Sequence, residues 1–433
     1  MQKVSVVSMG CAKNLVNSEE MLALLDEAGY TLVYSMEEAD GVIINTCGFI
    51  NDAKEESLRN IMEAISLKEK HPKLKLAVFG CLSKRYHKEI AEQIPEIDYL
   101  FDFLTAKEIV QLTKMAGKDY KKPDYSKSSR FFNPKHIGIL KIGEGCNNRC
   151  AYCAIPGIRG NYYSLNEDDI VKDCEDLVRS GAKEISVVAQ DVTRYGTDKG
   201  NGKCLLPSLL KKISAIKGVE WIRLHYMHPR GLTPKLIDEI FTIDKVLPYF
   251  DIPFQHISAK LVKSMNRHTT PEHMISLIKH IREHYPEGII RTTFIVGFPG
   301  EQKRDFDKLI DFIEEYPIDR VGAFMYSPEE DTPAYTMTPK VRETTKQARL
   351  DQLMTLQQLI IEERNKKLIG KEISVIIDSV DAKGVAVGRT PYDAYEVDNV
   401  TTIEKGKNLK PGDIVKVKIT DADAYDFKAV LTK

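Results

Sequence analysis

The sequence predicts an α/β protein in three parts: an N-terminal parallel α/β sheet domain, a central partial (β/α) barrel and a small C-terminal antiparallel β-barrel. Three observations predict it. Short apolar runs alternate with helical periods from residue 3 to about 103, and the alternation resumes at Ile137 for six strand-helix units. Beyond Gly370 the apolar period changes to two. At 433 residues the chain is long enough for several cores, and the expected domains are residues 1–120, 132–365 and 370–433.

In the first part the strands read Val4 to Met9, Val42 to Thr46 and Leu74 to Phe79, and each runs into a cysteine: Cys11, Cys47 and Cys81. Parallel strands present their C-terminal ends at one edge, so the three thiols should converge in the crevice where such sheets bind ligands. Three buried, unreactive cysteines are the plain alternative. Residues 104–135 are polar and Lys-rich, with Pro123, Pro134 and the pair Phe131-Phe132, and read as a linker.

The barrel strands are expected at Gly138 to Ile142, Glu184 to Ala189, Trp221 to Tyr226, Tyr249 to Pro253, Ile290 to Val296 and Arg320 to Tyr326. Active sites of such barrels lie at the C-terminal strand ends, and Cys146 follows the first of them. A charged helix from about Thr338 to Ile369 leads to Gly370. Alternation in Ile373 to Ile377, Val385 to Val387 and Ile414 to Ile419, with turns at Lys383-Gly384 and Pro411-Gly412-Asp413, gives the small barrel.

The run Cys146-Asn147-Asn148-Arg149-Cys150-Ala151-Tyr152-Cys153 carries the chemistry. Thiols at this C-x3-C-x2-C spacing can hold three irons of a cubane iron-sulfur cluster and leave the fourth open, whereas electron carriers use four cysteines. A closed zinc site would need a fourth Cys or His at ligand spacing, and none follows. Two sets of three cysteines predict two 4Fe-4S clusters. The open iron of one suits the amino and carboxylate groups of S-adenosyl-L-methionine, a cofactor that can deliver a radical. Tyr152 is expected to cover that cluster. Gln190 and Asp191 after the second barrel strand and Arg291 on the fifth, with the turn Gly297-Phe298-Pro299-Gly300, are candidate cofactor contacts; Arg291 has an equal claim to pair with a structural carboxylate. Cys174 and Cys204 read as incidental, and His225, His228 and His256 as structural histidines or acid-base groups.

Cys146 to Cys153 resembles the radical S-adenosylmethionine signature, and the second cysteine set with a terminal TRAM-like barrel is similar to the methylthiotransferase branch. Gly10-Cys11-Ala12-Lys13-Asn14-Leu15-Val16, Asn45-Thr46-Cys47-Gly48-Phe49-Ile50, Glu144-Gly145-Cys146, Cys153-Ala154-Ile155-Pro156 and Asp251-Ile252-Pro253-Phe254-Gln255-His256 resemble the enzymes that modify ribosomal protein S-twelve. The resemblance implies methylthiolation of an aspartate beta carbon in that protein. It also implies that Cys146, Cys150 and Cys153 hold the radical-generating cluster and Cys11, Cys47 and Cys81 the auxiliary one. The chain departs from the family at Ser164-Leu165, where a Ser-Arg pair is usual, and at Asp393-Ala394-Tyr395-Glu396, where Asp-Ala-Pro-Glu is usual.

Bulk properties limit the partners. Lys plus Arg (62) and Asp plus Glu (63) nearly cancel, so no global pull toward nucleic acid or membrane is expected. Eight cysteines in a charged chain suit metal binding in a reducing compartment, so a cytoplasmic location is expected; the chain is expected to act as a monomer. The start lacks a signal-peptide pattern and no apolar run spans a bilayer. The main rival is a tRNA methylthiotransferase, which needs a basic surface; residues 371–433 hold ten Lys or Arg against eleven Asp or Glu. Asp393, Glu396 and Asp398 are expected to offer an acidic face to a basic ribosomal loop. A second rival is a non-catalytic, metal-stabilised adaptor. The sequence names neither a sulfur donor nor an electron donor.

Overall fold

The computed structural model describes residues 3–103 and 134–432, so the linker expected at 104–135 lies almost wholly outside the described residues. The first sheet contains β1 (Lys3–Ser8), β2 (Thr31–Val33), β3 (Gly41–Thr46), β4 (Lys75–Gly80) and β5 (Tyr99–Leu100) in the order β2-β1-β3-β4-β5, every pair parallel. The crossovers include α1 (Ala12–Glu27), α2 (Asn51–Lys70), α3 (Cys81–Arg85) and α4 (His87–Gln93). Both faces are covered. Val4, Val6, Ile43 and Phe79 meet Met21, Leu22 and Leu25 of α1, while Val42, Ile44, Leu76 and Val78 meet Ile61, Ala64 and Ile65 of α2. Burial on two sides is why these strands read as continuous apolar runs. The short strands β2 and β5 carry no period long enough to read.

The central part has β6 (Ile137–Lys141), a ribbon of β7 (Gly143–Glu144) and β8 (Tyr163–Ser164), then β9 (Glu184–Val188), β10 (Trp221–Leu224), β11 (Tyr249–Asp251), β12 (Ile289–Val296) and β13 (Arg320–Met325). Between β7 and β8 lies α5 (Ile155–Arg159). Two parallel sheets, β6-β9-β10 and β11-β12-β13, are joined by a parallel bridge between Ile222 and Val246, giving the predicted partial barrel. Alternate residues of β12, Ile290, Thr292, Phe294 and Val296, are buried, and Arg291, Thr293 and Ile295 are partly open.

The long helix spans Glu343–Lys366, starting later than expected because Thr338 precedes a proline, which disfavours helical backbone there. The closed C-terminal barrel has β14 (Glu372–Val380), β15 (Ala386–Arg389), β16 (Thr401–Ile403), β17 (Ile414–Ala422) and β18 (Phe427–Leu431) in the order β14-β15-β16-β18-β17. Its pairings are antiparallel except β16 with β18, which is parallel.

The outer parts grip opposite ends of the barrel. At the N-terminal strand ends the small barrel docks through buried ion pairs: Glu184 with Arg389 (2.8 Å), Arg320 with Asp393 (2.7 Å) and His136 with Asp378 (2.8 Å). Trp221, Leu247 and Tyr249 pack there on Ile376 and Ala394. This corrects the expected acidic docking face. Asp393 pairs with Arg320, and Asp398 accepts from Tyr249 Oη at 2.6 Å and lies 3.6 Å from Arg291 Nε, so two of the three carboxylates face inward and only Glu396 is exposed. At the C-terminal strand ends sits the N-terminal domain, through Lys54 and Arg85 to Glu329 (3.0 and 2.8 Å) and Lys141 to Asn17 (2.9 Å).

Candidate metal centres at the barrel mouth

All three strand-end cysteines of the first domain arrive at one place. Cys11 caps α1 after β1, Cys47 follows β3 and Cys81 opens α3 after β4, so two of them flank the point where the strand order reverses and the third follows the adjacent strand. Close approach requires glycine. A Cβ on Gly10 (φ +91°) would lie 2.9 Å from Cys47 Sγ, and one on Gly80 (φ +110°) 2.5 Å from the Thr46 carbonyl. Asn14 ties the loops, its Nδ2 donating to the carbonyls of Met9 (3.0 Å) and Thr46 (3.1 Å) while its Oδ1 faces Cys81 Sγ at 3.7 Å.

The barrel supplies the remaining wall. Arg159, at the end of α5, is buried, donates to Cys81 Sγ at 3.3 Å and to Asn14 Oδ1, and pairs with Glu144 at 2.9 Å. Gln190 Nε2 donates to the other oxygen of Glu144 at 2.8 Å. Burial opposes the Glu144 charge, but Arg159 and Lys141 hold its carboxyl below the ordinary range. Burial likewise pushes the Cys47 thiol up to about 11 and raises Cys81. Cys11 has an exposed surface, and the desolvation of its thiol by the surrounding loops is outweighed by Lys13, the Asn14 N–H and Arg159, which hold it below its usual value.

Cys146, Cys150 and Cys153 lie on one loop between β7 and α5. The loop is braced from several sides: Cys146 N–H donates to the Gly160 carbonyl (3.1 Å), Ala151 N–H to that of Met265 (2.9 Å) and Asn148 Nδ2 to Asp191 Oδ2 (2.8 Å). Buried Arg267 donates to Cys150 Sγ at 3.4 Å and to Tyr152 Oη at 3.2 Å. Tyr152 is partly buried against an apolar cluster that includes Ala151, Leu261, Met265 and Phe298. Burial pushes the Cys146 thiol up to about 11, and burial with the neighbouring Cys150 raises Cys153 further.

The donor chemistry fits two clusters. The thiols of each triad are close enough to interact electrostatically, Cys47 with Cys81 and Cys11, and Cys153 with Cys150 and Cys146, and thiolate sulfur is the ligand that iron-sulfur clusters take. Each triad has one guanidinium on one sulfur, which offsets the negative charge of thiolate-held iron. Beside the Cys146 loop, Gln190 Oε1, Arg194 Nε and His228 Nε2 are buried without partners, leaving hydrogen-bonding capacity for a polar cofactor.

Models of three families match: the uncharacterised protein family UPF0004 over residues 3–102, the Radical SAM superfamily over 140–313 and the TRAM domain over 369–431. The uS12 methylthiotransferase RimO of Clostridioides difficile is 43% identical over 436 residues, 99% of this chain and 98% of that one. The same-named protein of Caldicellulosiruptor saccharolyticus is 42% identical, with 99% of each chain covered. The chain belongs to the RimO family. Among solved structures it is similar in fold to the radical S-adenosylmethionine methyltransferase TsrM of Kitasatospora setae, with a TM-score of 0.55, 14% identity, 77% of this chain and 74% of that one covered.

Within this RimO-family chain the expected site residues fall into two groups. Gln190 and Asp191 lie at the mouth beside the Cys146 loop, whereas Arg291 donates to Asp251 at 3.1 Å and faces Asp398 of the small barrel. His256 Nδ1 accepts from the N–H groups of Ile257 and Ser258, and burial lowers its pKa to about 3. His228 Nδ1 accepts from Arg230 N–H, and burial lowers its pKa too. Cys174 is in the apolar core and Cys204 packs against it. Sequence reasoning missed Arg159, Arg194 and Arg267. Arginines are common between motifs, and only the fold shows which of them turns toward sulfur.

Proposed function

We infer that this chain is a radical S-adenosylmethionine methylthiotransferase that modifies ribosomal protein uS12, the substrate named for its relatives, at the beta carbon of an aspartate. It uses two 4Fe-4S clusters and S-adenosylmethionine. The observation that carries the reading is the meeting of two three-cysteine groups at one end of the barrel, joined by Arg159, which belongs to one domain and donates to a sulfur of the other.

We assign Cys146, Cys150 and Cys153 to the radical-generating cluster and Cys11, Cys47 and Cys81 to the auxiliary cluster. When bound, the cofactors supply one-electron cleavage of a carbon-sulfur bond, abstraction of a hydrogen atom and a methylated sulfur. The chain's own residues hold and enclose them. Asp191 and Asn148 fix the cysteine loop, Tyr152 covers it against water, and Gln190, Arg194 and His228 have free polar atoms toward the cofactor. The small barrel, at the far end, would engage uS12 through its outward faces. No helix among the described residues is long and apolar enough to cross a membrane, and we propose a cytoplasmic monomer with separate sulfur and electron donors.

The test is to delete the gene and weigh both uS12 and digested tRNA. Loss of one methylthio group from uS12 is expected; unchanged uS12 with altered tRNA would overturn the reading in favour of the tRNA-modifying enzymes.

A further inference from the structure

Seven Lys or Arg residues are buried among the described residues: Lys13, Arg159, Arg223, Arg267, Arg320, Lys346 and Arg389. Five of them pair with carboxylates: Arg159 with Glu144, Arg223 with Glu184, Arg320 with Asp393, Lys346 with Glu343 and Arg389 with Asp378. Arg267 donates to a thiol and a phenol. Lys13 has no carboxylate at ion-pair distance among the described residues; the groups that favour its charge from farther off are the Cys11 thiol, the Tyr226 phenol and Glu144. Its ammonium, on a residue 6% exposed, makes one long contact to the Ala189 carbonyl (3.5 Å) and lies 4.4 Å from the centre of the Tyr226 ring. A desolvated ammonium whose direct contacts are one carbonyl and a ring face, with its nearest thiol assigned to iron, still has room for an anion at contact distance.

Its position says which anion. Lys13 starts from the auxiliary domain, two residues after Cys11, and reaches to Ala189 after β9 and Tyr226 after β10, so its charge stands at the mouth where the domains meet. Tyr226 has φ +62°, a left-handed conformation costing about 1–3 kcal/mol for a non-glycine residue. Its N–H donates to Asp251 Oδ2 at 2.9 Å, which holds that turn. The anionic clusters already have Arg159 and Arg267 on their sulfurs.

We propose that Lys13 receives the side-chain carboxylate of the substrate aspartate and makes the enzyme specific for an acidic residue; this rests on the uS12 reading above. In aspartate the beta carbon is bonded directly to the carboxyl carbon. An ammonium that fixes the carboxylate therefore fixes the reacting carbon one bond away. Lys13 is a positioning and specificity residue in this account.

The test compares reconstituted wild-type, Lys13→Met and Lys13→Arg enzymes on purified uS12 carrying either aspartate or asparagine at the modified position. Wild type should prefer aspartate by about 10- to 100-fold in kcat/KM, the range for one charged hydrogen bond. Lys13→Met should bring that ratio close to one with cluster iron retained, and Lys13→Arg should restore most of the preference. Three results overturn the proposal: an unchanged ratio in Lys13→Met, a defect confined to auxiliary iron content, or one confined to S-adenosylmethionine affinity. Failure of wild type to modify uS12 at all would instead remove the functional reading on which the proposal rests.

Discussion

The two cysteine triads are built in opposite ways. Cys146, Cys150 and Cys153 share one loop, whereas Cys11, Cys47 and Cys81 come from three loops at the ends of separate parallel strands. The first needs its loop braced by Asp191, Met265 and Gly160. The second needs a whole sheet, close approach at Gly10 and Gly80, the bridging Asn14, and an arginine lent by the neighbouring domain. Each triad's cysteines therefore lie inside one domain, but the dispersed one meets its guanidinium only where the two domains dock. On the assignment proposed above, that ties the electrostatics of the auxiliary site to the interface.

The largest effect comes from removing ligands. Cys150→Ala should abolish both S-adenosylmethionine cleavage and sulfur insertion, whereas Cys47→Ala should retain measurable cleavage and lose insertion. Iron should fall from about eight per chain to about four in each, as expected for loss of one cubane. Normal methylthiolation by Cys47→Ala would show that the dispersed triad is no ligand set.

A buried arginine remote from both triads gives the reference for a purely structural role. Arg389 sits between Glu184 and Asp378 at the opposite end of the barrel. Arg389→Met should cost about 3–5 kcal/mol of stability, the usual loss when one partner of a buried pair is removed, with iron content and cluster spectra unchanged. Altered spectra in the folded variant would show that the two ends of the barrel are coupled.

Arg159 and Arg267 sharpen the comparison further. Each donates to one sulfur, so Arg159→Met should shift the reduction potential of the auxiliary cluster alone and Arg267→Met that of the radical-generating cluster alone. Losses of roughly 10- to 100-fold in rate or cluster affinity are expected for groups that hydrogen-bond a metal ligand. Electrochemistry and spin resonance on each variant would read this. If both substitutions moved the same cluster, the assignment of one guanidinium to each triad would be wrong.

The same contrast explains what the sequence could show. The Cys146 loop was legible because its spacing is local. The dispersed triad was legible because three apolar runs each end in a cysteine and parallel strands bring such ends together. Asp393 and Asp398 misled, since a run of acids looks solvated until their partners, Arg320 and Tyr249, are brought to it from the central barrel. Arg159 and Lys13 were out of reach for the same reason: a buried cation declares itself through what lies opposite, and no local pattern records that.

The smallest predicted effect isolates the backbone's share in the dispersed site. Gly10→Ala removes no ligand and no charge. It places a methyl 2.9 Å from Cys47 Sγ and forces a side chain onto φ +91°, a region that penalises any Cβ. The conformational cost alone is about 1–2 kcal/mol, or roughly 5- to 30-fold in the population of the competent geometry. Auxiliary iron occupancy should drop accordingly while the Cys146 loop keeps its full share, because its supporting contacts lie in the barrel. Equal loss at both triads would mean that their assembly is concerted, and the opposition between a self-contained and an interface-dependent site would have to be abandoned.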